Sequence, residues 1–449
     1  MLVSKARQDL ENLAFSLFKR LDPAPITVGL SGGSDSTLVL LIACKLRELN
    51  PQFKITACHC IHGLDADDPI WLNHCQKLCQ KLSVNLITPK LNIIYGNGVS
   101  PEDASRKERY AALLSNLSNP GYLFLGHQAD DQVENFLLAL KRGSGPQGLS
   151  GMRLITKDNR GTIVRPLLDL TKDTIEEMLK ALGFDWVFDI SNTYLKFERN
   201  FIRLKVLPLL RERFVGIDKA ILKSASLCAF EHDLATRYAT SFYNEAVSLN
   251  TLNIDKLPLH DEALSLFILR MFLTPFSEIM PDFNTVKACF DLALSSNDQK
   301  GVISCDGREI RRYLNKLYVV YEAKLPNLQQ INLEIEKTLI LGDFSYTLKQ
   351  GNVLHKSFFM QDSFVTLDFD YKGSLAIKPQ TRAHRREIKK IFGEYKIPYW
   401  YRKAYPLIRA DNELKALGSL CALDECKKEN KIGQSFYLEI KNLKDNVLI

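Results

Sequence analysis

A hexapeptide rich in serine and glycine, Ser-Gly-Gly-Ser-Asp-Ser at residues 31–36, carries the strongest chemical signal in this sequence. It follows a short apolar run at 26–30 and precedes a segment of helical periodicity at 37–49. Glycines let backbone N–H groups approach a ligand closely, and a helix N-terminus adds unpaired donors and a positive dipole end. Because the Gly-Lys-Ser/Thr of a Walker A loop is missing, the pattern predicts a different phosphate-binding turn.

A histidine and two acids form a second candidate site. His127, Asp131 and Glu134 are spaced i, i+4 and i+7, which places them on one helical face after a predicted strand. Ligands bind at the carboxyl edge of open parallel sheets, and both motifs lie at that edge. Acids in a first helical turn can also merely complement the helix dipole, which is an equally good interpretation of Asp130 alone.

Two further segments are candidates for contacts with phosphate or RNA. Residues 142–152 hold a glycine-rich stretch that could approach a ligand or serve only as a flexible connector. Arg199 and Arg203 are spaced i and i+4 on a predicted helix, a geometry suited to phosphate. A solvated helix face is the alternative interpretation of this pair.

Cysteine and histidine are frequent between residues 58 and 79, but their spacing does not favour a metal site. Structural zinc sites usually show two ligand pairs at spacings such as Cys-x₂₋₄-Cys, whereas strand alternation would point Cys58 and Cys60 to one face and His59 to the other. The ten cysteines of this chain include no Cys-x-x-Cys pair, which argues against an iron–sulfur or thioredoxin-like motif. Without an export signal they are expected to be reduced thiols, mostly buried. We therefore predict no protein-held metal centre here.

Positive charge is concentrated near the C-terminus. Residues 372–409 carry eleven lysines and arginines against two glutamates, a net charge of +9, whereas the whole chain carries +7. At helical spacing, one face would present Arg382, Arg386, Lys389 and Lys390, and aromatic residues then interleave with Arg402. Cations with aromatics suit phosphate contact and base stacking, although a solvated basic helix would look similar.

The elements that position these groups follow an alternating pattern. Strands are predicted at 26–30, 54–58, 84–88, 122–125 and 163–167, with helices after each, at 37–49, 69–82, from 100, 130–141 and 171–183. Such alternation predicts a parallel sheet covered by helices on both faces. We expect an α/β catalytic domain at 1–215, a mainly helical domain with a hairpin at 216–325, and a C-terminal α+β domain at 326–449.

Composition excludes several protein classes. Of 449 residues, 46% are hydrophobic and 25% charged, which is ordinary for globular protein and excludes wholesale disorder. No apolar run approaches the roughly 18 residues that a membrane span needs. The N-terminus resembles an amphipathic helix rather than a signal peptide. The expected location is therefore the cytoplasm, with no membrane partner.

The motifs together resemble the tRNA(Ile)-lysidine synthetase family of PP-loop ATPases. Ser-Gly-Gly-x-Asp-Ser is the PP-loop itself, and the family's other motifs occur here in order, beginning at His59, Arg106, Gly126, Arg142, Arg165, Asp189 and Arg199. Departures occur at Ile61, Asp65 and Asn135, where the family usually has Asn, Arg and Thr. The ordered set is far more specific than any single motif except the PP-loop.

The resemblance implies a Rossmann-like PP-loop domain, a helical middle domain and a C-terminal tRNA-binding domain. It also implies an ATP-dependent ligase that modifies the wobble cytidine of the isoleucine tRNA with a CAU anticodon. That cytidine would be adenylated at C2 and then joined to free L-lysine, giving lysidine and switching tRNA identity from Met to Ile. ATP and Mg²⁺ are the implied substrate and cofactor. The sequence leaves open whether the chain forms a homodimer.

Site residues follow from the same resemblance. The implied catalytic residues are Asp35, His127, Asp131, Glu134 and Arg106. ATP would be bound by Ser31, Gly32, Gly33, Ser34, Asp35 and Ser36. The ammonium groups of lysine would be held by Asp131 and Glu134. Contacts to tRNA would come from Arg199, Arg203, Arg382, Arg386, Lys389, Lys390 and Arg402.

Two other functions are alternative hypotheses for this sequence. A tRNA thiolase on the same scaffold would need a sulfur-carrying cysteine, usually in a Cys-x-x-Cys pair, and this chain has none. An RNA-binding protein with an inactive nucleotide site is a different class altogether. The intact PP-loop weighs against it, and ATP turnover with cognate tRNA would exclude it.

Overall fold

The computed structural model describes residues 2–61, 68–92, 101–118, 120–158, 161–188, 193–277, 280–295, 301–326, 330–423, 434–444 and 447–448. The chain divides into two compact units, Met1–Thr236 and Arg237–Ile449. Two predicted motif segments, most of the 59–65 loop and residues 189–192, lie outside the described residues. Within the described part of the chain, no helix is both long enough and apolar enough to cross a membrane.

The first unit is built on a six-stranded sheet in the order β3-β2-β1-β4-β6-β5. Its strands are β1 (Ile26–Gly29), β2 (Ile55–Cys58), β3 (Asn85–Ile87), β4 (Tyr122–Phe124), β5 (Ile155–Asp158) and β6 (Gly161–Val164). All neighbouring pairs are parallel except β5 with β6, which form an antiparallel hairpin at one edge. The predicted parallel sheet is confirmed, and the sequence analysis missed only β5.

Helices separate the strands as the sequence pattern predicts. The first unit contains α1 (Leu2–Phe18), α2 (Ser34–Leu49), α3 (Asp68–Lys81), α4 (Pro101–Ser115), α5 (Ala129–Lys141), α6 (Pro146–Leu149), α7 (Lys172–Leu182), α8 (Glu198–Phe201), α9 (Leu207–Arg213) and α10 (Ile217–Ala246), which continues into the second unit. Thr171 caps α7 by accepting the N–H of Thr174, and Gly183 ends it at a φ of 74°. The core is densest around α2, whose residues from Thr37 to Ala43 are all buried.

A π-helical segment, Ile202–Val206, joins α8 to α9. Pro208 follows it by two residues and explains its position. Proline has no N–H to donate, and its ring clashes with the carbonyl four residues earlier in an α-helix. A wider turn before Pro208 relieves that clash, and such π segments are frequent at functional sites. Arg203, one of the predicted site residues, lies within this segment.

The second unit begins with helices and an antiparallel sheet. Its helices α11 (Glu262–Leu273) and α12 (Phe283–Leu294) pack on strands β7 (Val247–Ser248), β8 (Thr251–Asn253), β9 (Val302–Cys305), β10 (Arg308–Tyr313) and β11 (Lys316–Tyr321). The sheet order is β7-β8-β11-β10-β9. The predicted helical region with a hairpin is confirmed, but the hairpin belongs to a larger sheet because β8 pairs with β11.

The C-terminal part of this unit is mainly antiparallel sheet with its own hydrophobic core. Its strands are β12 (Gln330–Glu334), β13 (Thr338–Leu341), β14 (Phe344–Gln350), β15 (Phe358–Met360), β16 (Phe364–Asp368), β17 (Ala376–Ile377), β18 (Arg386–Glu387), β19 (Leu407–Ala410), β20 (Glu413–Leu417), β21 (Cys421–Ala422), β22 (Gln434–Asn442) and β23 (Val447–Leu448). A short helix, α13 (Ile388–Glu394), follows β18.

Candidate active site

The loop between β1 and α2 holds itself together through its own serines. Ser36 Oγ donates to the carbonyl of Gly33 at 3.0 Å and accepts the N–H of Ser31 at 3.2 Å. Gly32 has a φ of +93°, and its carbonyl accepts the N–H of Val187 at 3.0 Å. A residue with a side chain would be strained at that φ, so glycine is needed there. The buried Ser36 hydroxyl therefore shapes the loop.

The segment after β4 touches this loop directly. A Cβ atom on Gly126 would lie 3.0 Å from the backbone carbon of Asp35 and 3.0 Å from the backbone nitrogen of Ser36. Both are backbone atoms that cannot swing away, so a side chain at this position would push the two segments apart, and glycine allows the close approach. The structure thus brings together the two motifs that the sequence analysis placed at one sheet edge.

Asp35 lies at the centre of the joined motifs. Its Oδ1 accepts hydrogen bonds from the Lys172 ammonium at 3.1 Å and the Ser34 hydroxyl at 3.3 Å. Burial raises the pKa of Asp35, the positive charge of Lys172 opposes that rise, and the negative charge of Asp131 adds to it. The charge of Asp131 therefore acts on Asp35, as expected for acids at the same edge of the sheet.

The first turn of α5 uses its acids as caps. Gln128 precedes the helix, and its side chain accepts the N–H of Asp130 at 2.6 Å while Asp131 Oδ2 accepts the N–H of Gln128 at 3.0 Å. Asp130 is held by Arg211 at 2.7 Å and by the backbone N–H of Lys172 at 3.0 Å. Asp130 therefore ties α5 to α7 and α9, contacts that the sequence alone did not predict.

Glu134 is enclosed and neutralised by an arginine from the π-helical segment. Its side chain is 0% exposed, and Arg203 donates Nε to Oε1 at 2.6 Å and Nη2 to Oε2 at 3.0 Å. Arg199 lies 3.7 Å from both Glu134 and Asp131, and it hydrogen bonds to Asn135. Burial raises the pKa of Glu134, while the Arg203 guanidinium opposes the rise.

This pairing bears on two predicted roles. A lysine ammonium can reach Glu134 only by displacing Arg203. Asp131 is more accessible to a cation, because its Oδ1 lies 3.7 Å from Arg199 and 3.9 Å from Arg203, which are long contacts. The guanidinium groups of Arg199 and Arg203 face these acids within the unit. Neither arginine is the simple solvated helix face that the sequence also allowed.

His127 lies among positive charges. Its pKa is lowered to about 3, first by burial and then by the guanidinium groups of Arg165, Arg106, Arg199 and Arg109. Its Nδ1 is buried without a hydrogen-bond partner among the described residues. The imidazole is therefore neutral at physiological pH, with one nitrogen free to receive a proton donor from a ligand.

A shallow, open depression lined by two of the arginines that lower the pKa of His127 is suited to an anion. It measures about 420 Å³ and is lined by Arg106, Lys107, Tyr110 and Arg165. Arg165 is fixed by donating to the Arg153 carbonyl at 3.1 Å and to the Thr156 hydroxyl at 2.9 Å. The predicted catalytic residue Arg106 thus lies in a cluster of cations whose chemistry is phosphate or carboxylate binding.

Lys172 is a residue at the PP-loop that the sequence analysis did not single out. It donates to Ser34 Oγ at 2.7 Å as well as to Asp35. Its position as the first residue of α7, 137 residues beyond Asp35, gives no local signal of this contact. Among the described residues, no group of three or more His, Cys, Asp or Glu side chains is arranged to hold a metal ion.

The C-terminal basic segment departs from prediction. The expected continuous helical face is wrong, because α13 spans only Ile388–Glu394. Arg386 instead belongs to β18, which pairs with β17 and so uses the backbone groups that a helix would need. Arg382 lies in the preceding turn.

Two glutamates form ion pairs with the cations of this segment. Glu394 binds Arg382 at 2.6 Å and Arg386 at 2.9 Å. Glu387 lies 3.4 Å from the Lys389 ammonium and 3.1 Å from that of Lys390. These four of the predicted tRNA-binding cations therefore form two pairs, one on each glutamate, and the side chains of Lys389 and Lys390 remain 58% and 52% exposed.

Among the aromatic residues near this segment, Trp400 packs against two tyrosine rings of the same unit. The Trp400 ring meets Tyr313 and Tyr318 of the β10–β11 hairpin edge-on, with centroids 6.1 and 5.4 Å apart. Arg402 donates to the carbonyl of Ile397 at 3.1 Å and lies over the Phe392 ring. Trp400 thus packs against the β10–β11 hairpin, and base stacking by the aromatic residues of this segment stays a prediction.

Comparisons with known proteins assign the family. Residues 5–210 match the PP-loop domain family, and residues 365–436 match the TilS substrate C-terminal domain. The tRNA(Ile)-lysidine synthase of Vibrio parahaemolyticus is 34% identical over 403 residues, covering 88% of this chain and 91% of that protein. The enzyme of the same name from Buchnera aphidicola is 30% identical over 417 residues, covering 91% and 92%.

The chain belongs to the tRNA(Ile)-lysidine synthase family. The resemblance seen in the ordered motifs is confirmed, as are the ATP-dependent ligase class and the PP-loop fold of the first unit. Similar solved structures include the U34-tRNA thiolase NcsA of Methanococcus maripaludis, at 14% identity and a TM-score of 0.42, covering 51% of this chain and 80% of that one. A TilS C-terminal domain is similar at 13% identity and a TM-score of 0.21, covering 26% and 98%.

The neutral state of His127 gives a direct prediction. Its pKa of about 3 means that the imidazole stays unprotonated between about pH 5.5 and 8. We expect its ¹³Cε1 resonance, assigned by its loss in His127→Gln, not to shift across that range. A titration midpoint near the ordinary value of about 6.5 would contradict the buried cationic environment.

The depressed pKa of His127 also predicts how the stability of the fold depends on pH. A base whose folded pKa is depressed stabilises the fold above its unfolded pKa of about 6.5, and this contribution is lost as pH falls toward the folded value. The His127→Gln variant should therefore lose less stability than the parent chain between about pH 6.5 and 4, as measured by urea unfolding at each pH.

Proposed function

We propose that this protein joins L-lysine to C2 of the wobble cytidine in the isoleucine tRNA with a CAU anticodon, through an adenylated tRNA intermediate. ATP is converted to AMP and pyrophosphate, and the product is lysidine. Family membership and the joined PP-loop and α5 motifs support this assignment. Lysidine pairs with A rather than G, so the reaction switches the tRNA from Met to Ile identity. The proposed location is the cytoplasm.

In the first step, the cytosine C2 oxygen attacks the α-phosphate of ATP and pyrophosphate leaves. The N-terminus of α2 and the loop at 31–36 offer backbone donors to the leaving group, where preorganised charge stabilisation is most effective. Arg106 and Arg165 line the open depression and suit the α-phosphate. Mg²⁺ usually binds through one or two carboxylates together with substrate phosphates, and Asp35 at the start of α2 supplies such a carboxylate.

In the second step, the lysine ε-amine attacks C2 and AMP departs. The amine must first lose a proton, since its ordinary pKa is about 10.4. His127 is a poor acceptor for this proton because its pKa is about 3. Asp131 is suited to hold and orient the ammonium group, because its Oδ1 has only long contacts to arginine. We assign three roles on this basis. Asp131 holds the lysine ammonium, the neutral imidazole of His127 makes a hydrogen bond, and Glu134 holds Arg203 in place.

The deciding experiment is incubation of the full chain with ATP, labelled lysine and total bacterial tRNA, followed by nucleoside analysis. Label should appear in lysidine from isoleucine tRNA alone. Asp35→Ala serves as the negative control, because it removes the central carboxylate without touching the C-terminal basic cluster. Label absent from every tRNA, with the parent chain folded and binding ATP, would refute the proposed function.

The two acids of α5 should separate the two chemical steps. Asp131→Asn removes a charge that contacts lysine, so we expect its lysine KM to rise about 10-fold or more while tRNA-dependent ATP–pyrophosphate exchange is kept. Glu134→Gln leaves Arg203 without its anion, so it should impair both steps and lower the free energy of unfolding by about 1–3 kcal/mol. Equal losses of both steps in Asp131→Asn would assign Asp131 to ATP or Mg²⁺ instead.

The exposed lysines of α13 should contribute to tRNA affinity through phosphate contacts. For Lys389→Gln combined with Lys390→Gln, the slope of log K against log salt should become shallower by about 1.4–1.8. A matched control with the same loss of charge is Lys5→Gln with Lys19→Gln, two exposed lysines at the N-terminus. Identical salt dependence in the two double variants would remove Lys389 and Lys390 from the tRNA-binding surface.

A further inference from the structure

Lys172 places a positive charge at the start of the PP-loop helix. Its ammonium donates to Ser34 Oγ at 2.7 Å and to Asp35 Oδ1 at 3.1 Å, and these are the first two residues of α2. The N-terminus of a helix is where phosphate binds, because its first N–H groups have no partner within the helix. The ammonium thus lies beside the backbone donors that would receive the terminal phosphates of ATP.

Hydrogen bonds hold the backbone of Lys172 and of the turn before it in place. Thr171 caps α7, and the backbone N–H of Lys172 donates to Asp130 Oδ2 at 3.0 Å. The preceding turn is joined to the start of α5, where the N–H of Ala129 donates to the carbonyl of Leu170 at 2.8 Å. The backbone of Lys172 is therefore held by the same elements that carry Asp131.

The side chain, in contrast, has room to change partner. The Lys172 side chain is 41% exposed and that of Asp35 is 25% exposed. An exposed ion pair of this kind contributes little to stability and is readily exchanged. A triphosphate carries more negative charge than one carboxylate, so it competes favourably for the ammonium.

We propose that Lys172 binds the pyrophosphate moiety of ATP and that its transfer from Asp35 to the phosphates leaves the Asp35 carboxylate available to Mg²⁺. Lys172 then stabilises the charge that develops on pyrophosphate as the bond to the α-phosphate breaks. This role rests on ATP being the nucleotide and is independent of which tRNA is modified.

Calorimetry on the full chain without tRNA or lysine tests the proposal. The ligands are α,β-methylene ATP, which cannot be cleaved at the reacting bond, and AMP, which lacks the pyrophosphate moiety. Lys172→Met should weaken binding of α,β-methylene ATP by about 10- to 100-fold, the loss expected for one charge-assisted hydrogen bond. AMP affinity should stay within about two-fold of the parent value, and Lys172→Arg should recover most of the lost affinity.

Lys180→Met is the matched control, because Lys180 lies on the same helix but packs over the Trp186 ring. It should bind both ligands as the parent chain does. Equal weakening of AMP and α,β-methylene ATP in Lys172→Met would show that the lysine only shapes the loop and would overturn the proposal. Unchanged affinity for both ligands would overturn it as well. Failure of lysidine formation with these binding results intact would refute only the proposed tRNA chemistry.

Discussion

The active site depends on the approach of one backbone to another at Gly126. Neighbouring parallel strands β1 and β4 bring their carboxyl ends to the same edge, but that alone does not make their loops touch. The missing side chain of Gly126 lets the chain pass 3.0 Å, measured from an ideal Cβ position, from the backbone of Asp35 and Ser36. Because of this contact, the acids of α5 share a site with the PP-loop, and their charges must be balanced locally.

That balance comes from cations on later helices. Asp35 is paired with Lys172, and the enclosed Glu134 is paired with Arg203. Removing the Glu134 charge from water is costly, so the enclosed Glu134–Arg203 pair fixes geometry more than it adds stability, and breaking it leaves an uncompensated charge. Arg203 reaches Glu134 from the π-helical segment that Pro208 explains. The local rule that proline breaks an α-helix thus contributes to the geometry of the acids of α5.

The sequence predicted the parts of the site that local patterns encode. The strand–helix alternation, the phosphate loop after β1 and the cap and end of α7 at Thr171 and Gly183 all follow from short-range rules. Pairings between distant segments were missed, because nothing local marks Lys172 as a partner of Asp35. The antiparallel strand β5 was also missed, since an edge hairpin interrupts the alternation without a strong apolar run. Tertiary pairing decides these features, and a single sequence does not display it.

The C-terminal segment shows how periodicity can mislead. The spacing of Arg382, Arg386 and Lys390 fits a helix. Arg386 nevertheless belongs to strand β18, because its backbone pairs with β17. Spacing describes which residues would share a face if a helix formed, and it does not establish that the helix forms. The cations are still held in pairs, because Glu387 and Glu394 each contact two of them. Those glutamates partly neutralise the cluster, so its attraction for a polyanion depends on charges that remain exposed to solvent, such as the two lysines at the start of α13.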